Sequence, residues 1–282
     1  MKKGPLVSII MNCYNGEKYL KESIKSILKQ NYQNWELIFW DNKSKDKSKN
    51  IFLKFIDKRL KYFCTKRFTN LYAARNLAIK KAKGEIITFL DVDDLWLPEK
   101  LSEQINFFNK NKKAELVYSN YFNIKKYFGI NFKSLKFNKI LPSGFITNYL
   151  LNSYCIGWLT VGIKKSIIKN KKLFNEKLDM VSDFDLMINL SMKKKIFCIQ
   201  KPLAIYRQHP DQLTRKNFYL QARHYLKWHK TAKARIKLKK FKNFKIFFNR
   251  IIFFEKKLLF KKKNKSLLSV INIFLSGKIK LA

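Results

Sequence analysis

The chain is predicted to fold as an α/β protein, a sheet with helices on both faces. Two observations carry this expectation. Short apolar runs alternate with helix-patterned segments four times in about 110 residues, which argues for a parallel sheet covered on both sides. Two acidic clusters, Asp41 to Asp46 and Asp91 to Asp94, each follow directly on such a run. Open α/β sheets bind ligands there, beyond the carboxyl ends of their strands.

The elements follow in order. Val7 to Cys13 is apolar and suits a strand buried on both faces. Between Gly16 and Gln30, Leu20, Ile24, Ile27 and Leu28 form a helical stripe. Trp35 to Trp40 reads as the second strand, and a polar stretch from Asp41 leads into a helix ending near Ile56. Leu60 to Cys64 is the third strand. Leu71 to Ala82 is Ala-rich and helical, with Gly84 expected to close it. Glu85 to Leu90 is the fourth strand, Pro98 opens a helix to about Asn109, and Leu116 to Phe122 is strand-like.

Further on, Lys125 to Ile140 is Lys- and Phe-rich and is expected to be a loop. Gly157 to Ile163 and Ile196 to Ile205 read as strands, and Ser182 to Met192 as a helix. After Arg215 the chain reads as helical and basic. The expected division is a domain over residues 1–211 and a basic helical extension over 212–282. No window of about 18 apolar residues occurs, so no transmembrane helix is expected. The apolar run Leu6 to Met11 is too short for a signal peptide and reads as the first strand.

The formal net charge is +42, which points to an anionic partner such as nucleic acid, anionic lipid or a phosphorylated substrate. Eight of the 61 basic residues are Arg, the residue suited to bidentate phosphate and base recognition, and the rest are Lys. Abundant Lys, Asn, Ile and Phe also fit an AT-rich coding sequence. Base composition does not explain the last quarter, where 21 Lys or Arg from Gln212 to Ala282 face a single acid, Glu255. The four cysteines form no CxxC pair, so reduced thiols are expected rather than zinc or disulfides.

The sharpest chemical feature is Asp91-Val92-Asp93-Asp94. Carboxylates packed this closely stay ionised best around a cation or a donor network. Hard oxygen ligands suit Mg²⁺ or Mn²⁺, with substrate phosphates completing the shell. The alternative is an acidic turn with Asp94 near a helix N-terminus.

Six stretches, in order, resemble the family 2 glycosyltransferases with a GT-A fold, from about residue 5 to about residue 210. They are Val7-Ser8-Ile9-Ile10 with Tyr14-Asn15; Asp41 to Asp46, similar to DDGSxD but with Asn42 and Lys43 for Asp and Gly; and Ala73-Ala74-Arg75-Asn76 with Gly84-Glu85. The others are Asp91 to Asp94 with Pro98, similar to DxDD; Ser182-Asp183-Phe184-Asp185-Leu186, similar to EDxDL; and Tyr206-Arg207-Gln208-His209, similar to YRxH.

The resemblance implies a mixed GT-A sheet, a nucleotide-sugar donor and a divalent cation, Mg²⁺ or Mn²⁺. It implies that Tyr14, Asn15, Asp41 and Arg75 belong to the donor site, Asp41 holding the base or ribose. It gives the cation to Asp91, Asp93 and Asp94, and the diphosphate or the cation to Arg207 and His209. Asp183 becomes the general base of an inverting transfer, with Asp185 as second choice; Ser182 stands where the family has Glu. The expected reaction moves a sugar, UDP-linked in the first instance, to a saccharide or lipid-linked acceptor in cell-surface polysaccharide or lipopolysaccharide synthesis. The expected location is cytoplasmic, with the basic extension against an anionic membrane surface at the inner face. The competing class is a basic nucleic-acid-binding protein without catalysis, but a basic groove would avoid acids at strand ends. A nucleotidyltransferase is disfavoured because eight Gly form no phosphate loop.

Overall fold

The computed structural model describes residues 4–127, 130–168, 172–216, 218–231, 237–247, 249–251 and 253. The first strand, β1 (Val7–Cys13), is buried along its whole length. So is β2 (Trp35–Asp41). Such strands lie at the centre of a sheet covered on both faces. They pair in parallel, Val7 opposite Trp35 and Cys13 opposite Asp41. On the outer side β2 pairs in parallel with β3 (Leu60–Cys64), and on the other side β1 pairs in parallel with β4 (Ile86–Phe89). The parallel half expected from the alternation is therefore present.

Beyond β4 the direction changes. β4 pairs antiparallel with β8 (Gly162–Lys164), and β8 antiparallel with β6 (Leu116–Tyr127). β6 runs parallel to β9 (Phe197–Gln208), which pairs antiparallel with β5 (Leu95–Trp96). The order among the described residues is β3-β2-β1-β4-β8-β6-β9-β5, with β7 (Ile130–Leu135) on β6. The sheet is thus mixed. The expected loop from Lys125 to Ile140 contains β7, which pairs along β6 from Phe122–Leu135 to Tyr127–Ile130. Every β7 side chain is exposed, Ile130, Phe132 and Leu135 included, so the strand is held by its backbone ladder rather than by a buried face.

Helices cover both faces. α1 (Glu17–Leu28) puts Leu20, Ile24 and Ile27 into the core formed by Val7, Ile9 and Met11 of β1 and Leu37 and Phe39 of β2. α2 (Ser48–Leu53) adds Phe52, and α4 (Lys100–Lys110) adds Leu101, Ile105 and Phe108. α3 (Leu71–Lys81) packs on β1 and β2 from the other side, burying Ala74, Ala78 and Ile79. Its N-cap is Asn70, whose side chain accepts from the Ala73 amide. Gly84 does not cap α3, which ends at Ala82. Instead it passes so close to β1 that a Cβ would lie 2.6 Å from both the Leu6 carbonyl oxygen and the Ser8 amide nitrogen.

The chain divides into two compact units. The sheet and its helices form the first, residues 1–144, 156–176 and 195–209. Residues 145–155, 177–194 and 210–282 form the second. It contains α5 (Thr147–Asn152), α6 (Ser182–Ser191), α7 (Leu213–Lys216) and α8 (Phe218–Lys230). Phe184 of α6 meets the rings of Tyr154, Tyr225, Trp228 and Phe247 at 5.0–5.4 Å. The basic C-terminal stretch is therefore tied into this unit at least as far as Phe247. The sequence reading of residues 254–282 lies outside the described residues. No helix among the described residues is long and apolar enough to cross a membrane. The four cysteines are free thiols.

A lysine sits deep in the core of the first unit. Lys100 is fully buried, its Nζ donates to Thr88 Oγ1, and it stands 3.6 Å above the Trp96 ring. Burial pushes its pKa well below the ordinary lysine value. Between that lowered value and 10.5 the unfolded chain binds the extra proton, so stability rises with pH across this window.

Two outcomes are expected. Lys100→Met should stabilise the protein by about 1 kcal/mol near neutral pH and flatten the rise of Tm with pH, read by thermal melts at several pH values. Gly84→Ala should cost about 1–3 kcal/mol in a denaturant titration, because backbone of β1 must move to admit the methyl.

Candidate active site

The carboxyl ends of β1, β2 and β4 form one rim of the first unit. Asp41 closes β2 and is 2% exposed. Its Oδ1 accepts the Ser44 amide at 2.7 Å and its Oδ2 the Tyr62 hydroxyl at 2.7 Å. The first bond pins the turn after β2; burial, then the second bond, raises the Tyr62 pKa. Two carboxylate oxygens offer about four lone-pair positions, so Asp41 keeps acceptor capacity beyond these bonds. Asn42 clamps Thr69, its Oδ1 accepting the Thr69 amide at 3.2 Å and its Nδ2 donating to the Thr69 carbonyl at 2.7 Å. Lys43, where the family has Gly, adopts a φ of 68°. That left-handed conformation costs a non-glycine residue about 1 kcal/mol.

After β1 the chain turns through Tyr14 and Asn15. Asn15 has a φ of 54°, and its Oδ1 accepts the Lys45 amide at 2.8 Å. Tyr14 is 48% exposed and packs on Phe68 with ring centroids 4.7 Å apart. The turns after β1 and β2 are thus bound to each other and present one aromatic face.

The acidic turn follows β4. Asp91 meets Arg75 of α3, with Oδ1 to Nη2 at 2.6 Å. The Arg75 side chain is only 4% exposed, so this guanidinium is a buried anchor for Asp91. Asp93 Oδ2 lies 2.9 Å from His209 Nε2. Asp94 is buried and its Oδ1 accepts the Arg207 amide at 3.0 Å. Burial, then the carboxylates of Asp93 and Asp91, push its pKa well above the usual range. Arg207 Nε donates to the Asp93 carbonyl at 2.9 Å. Asp94 and Arg207 therefore fasten the acidic turn to β9, while Asp91 and Asp93 are the more accessible carboxylates, at 38% and 24% exposure.

Sequence reasoning missed several supports. Arg207 Nη1 bonds Glu22 Oε2 at 2.7 Å, and its guanidinium stands 4.7 Å from the Tyr19 ring, which also packs against His209. Ser23 Oγ donates to the Asp94 carbonyl at 2.9 Å. Tyr19, Glu22 and Ser23 share one side of α1, a spacing visible in the sequence, but nothing there names their partner.

In the second unit, Asp183 opens α6 just after Ser182. The N-cap is Val181, and Asp183 Oδ1 accepts its neighbour Phe184's amide at 2.8 Å. Asp185 is more enclosed: its Oδ1 accepts from Trp228 Nε1 at 2.7 Å and from Asn189 Nδ2 at 2.9 Å. Burial raises its pKa.

Among the described residues no group of three His, Cys, Asp or Glu side chains is gathered as a ligand set. Asp93 and His209 stand side by side, and both are donors that Mn²⁺ accepts. Mg²⁺ sites commonly take one or two carboxylates and draw the other oxygens from substrate phosphates. The side chains present fit a cation of that kind, with Asp94 acting as a fastener to β9.

Comparison with known proteins bears on the family and the fold. Residues 8–170 match the model of the family described as glycosyl transferase family 2. The chain is 39% identical over 163 residues to the UDP-Glc:alpha-D-GlcNAc-diphosphoundecaprenol beta-1,3-glucosyltransferase WfgD of Escherichia coli, a match covering 58% of this chain and 62% of that protein. The match thus spans less than two thirds of that relative's length. The structure superposes on S. aureus TarS 1-349 in complex with UDP-GlcNAc with a TM-score of 0.65 at 19% identity, covering 92% of this chain and 76% of TarS 1-349. It superposes on the mannosyltransferase PcManGT of Pyrobaculum calidifontis, in complex with GDP-Man and Mn²⁺, with a TM-score of 0.60 at 16% identity, covering 84% and 68%. The mixed sheet is that of the GT-A fold, and the chain belongs to glycosyl transferase family 2.

Proposed function

We propose that the chain transfers a sugar, with inversion, from a UDP-linked donor to a hydroxyl of a lipid-linked saccharide in cell-surface polysaccharide synthesis. The observation that carries this reading is the gathering of Asp41, Arg75, Asp91, Asp93, Arg207 and His209 on one rim of the sheet. The donor and acceptor classes are suggested by the names of WfgD and of the TarS complex.

In this reading Asp41 accepts from the base or ribose, and Tyr14 offers its exposed ring to the base. Asp93, with Asp91 and His209, would hold Mg²⁺ or Mn²⁺. When bound, that cation neutralises charge growing on the departing diphosphate. Arg207 steadies the acidic turn through its bonds to Asp93 and Glu22. Asp183 takes the proton from the acceptor hydroxyl as its oxygen attacks the anomeric carbon. Asp185 is the poorer candidate, because Trp228 and Asn189 already engage its Oδ1. The lipid-linked acceptor suits a place at the inner membrane face, reached through the basic C-terminal extension from residue 212.

Asp183→Asn should lower kcat by about 10²–10⁴-fold with the donor Kd unchanged, measured by transfer kinetics and donor titration. Transfer at the wild-type rate would remove Asp183 from the role. Asp93→Asn should abolish the difference between Mn²⁺ and EDTA in a panel of nucleotide sugars scored for hydrolysis. Deleting residues after Phe253 spares the Phe184 cluster and should reduce sedimentation with anionic vesicles; unchanged sedimentation would contradict the membrane role of that segment.

A further inference from the structure

A cleft of about 1590 Å³ opens on the first unit at the other ends of the same strands. Gly4 and Pro5 precede β1, and Gly84, Glu85 and Ile86 lead into β4. Lys164 and Lys165 follow from β8, which runs the opposite way. The acidic turn and Asp41 lie past the far ends of these strands, roughly 20 Å away for a seven-residue strand. The cleft is therefore separate from the candidate active site, and nothing said of it rests on the proposed transfer reaction.

Six lysines line it: Lys80, Lys83, Lys112, Lys164, Lys165 and Lys172. Two of them are pinned by backbone rather than by acids. Lys164 Nζ donates to the Lys112 carbonyl at 2.7 Å, and Lys165 Nζ to the Ala82 carbonyl at 2.7 Å. An ammonium has three donors, so each of these bonds leaves two for a ligand and leaves the charge in place. Lys172 pairs with Glu176 at 2.7 Å. Glu85 is the one acid among the described lining residues. Glu36 lies buried beneath, taking the Ser8 hydroxyl and the Lys83 amide, which fixes the turn carrying Lys83. Subtracting these acids and about half a charge for each of the two helix C-termini leaves roughly two net positive charges. The buried side chains of Ile79, Ile86 and Phe108 form the floor. An apolar floor limits solvent screening of the lysines above it.

We infer that this cleft is a second, non-catalytic binding site for a phosphate-bearing anion. Lysine serves phosphate as a point charge rather than a bidentate fork, so the site selects charge and not a particular group. Phosphate reaches it from a soluble polyphosphate or nucleotide, or from the headgroup of an anionic lipid.

The test uses the full chain with EDTA present and two probes: inorganic tripolyphosphate by calorimetry, and flotation with phosphatidylglycerol-containing or neutral vesicles. The variant Lys80→Ala/Lys83→Ala/Lys112→Ala should weaken binding about tenfold, and the same three positions changed to Arg should retain it. Thermal melts check that both variants fold. Uridine diphosphate titrated with Mn²⁺ against the Ala variant, whose lysine cleft is disabled, reports on the opposite rim, so failure there would count against the transferase reading and not against this site. Loss of tripolyphosphate binding assigns a soluble ligand; loss of vesicle binding assigns a lipid headgroup. Either upholds the site. If the Ala variant binds both probes as the wild type does, if the Arg variant is equally weakened, or if the wild type binds neither probe, the inference is overturned.

Discussion

Asp91, Asp93 and Asp94 fall within four consecutive positions after β4, and their mutual repulsion is the constraint around which the first unit is organised. At an effective dielectric of about 20, two carboxylates about 6 Å apart repel by roughly 3 kcal/mol. The fold answers with a different partner for each: the Arg75 guanidinium from α3, the His209 ring from the end of β9, and the Arg207 amide. These partners come from distant stretches of chain. The sheet must therefore close correctly, with β9 beside β5, before the turn is tolerable. The cation of the proposed function would meet the same proximity, so the requirement for folding and the proposed chemistry share one origin.

Much of the parallel half could be read directly from the sequence. β1 and β2 are uninterrupted apolar runs because they are buried on both faces, and the acids after β2 and β4 marked the functional rim. The second half was less legible for definite reasons. β5 has two residues, too few to carry a pattern, and β7 has no buried face. The antiparallel direction of β8 is set by pairing across the sheet rather than by its own residues. Gly84 looked like a helix cap, but its purpose is a close approach to β1 that becomes visible only when both strands are in place.

The candidate site divides in the same way. Asp41, Arg75, Asp91, Asp93, Arg207 and His209 stood out because they sit in family-like stretches. Tyr19, Glu22, Ser23 and Tyr62 did not, since they are ordinary residue types whose partners lie far along the chain. Lys43 shows the reverse case: a lysine stands where the resembled motif has Gly, and it adopts a left-handed φ of 68°. The two rims of the sheet also differ in sign, carboxylates beyond β2 and β4 and lysines around Gly84. A chain of net charge +42 thus places five of its 19 acids, Asp41, Asp46, Asp91, Asp93 and Asp94, at the ends of β2 and β4 and in the turns beyond them.

The proposed function has the acidic turn hold a cation together with a nucleoside diphosphate. Electron paramagnetic resonance of free Mn²⁺, recorded during titration of the full chain with and without uridine diphosphate, tests it most directly. The account predicts that the free Mn²⁺ signal falls strongly when protein and uridine diphosphate are both present, beyond the fall either gives alone. A signal that follows the nucleotide alone and ignores the protein would contradict it.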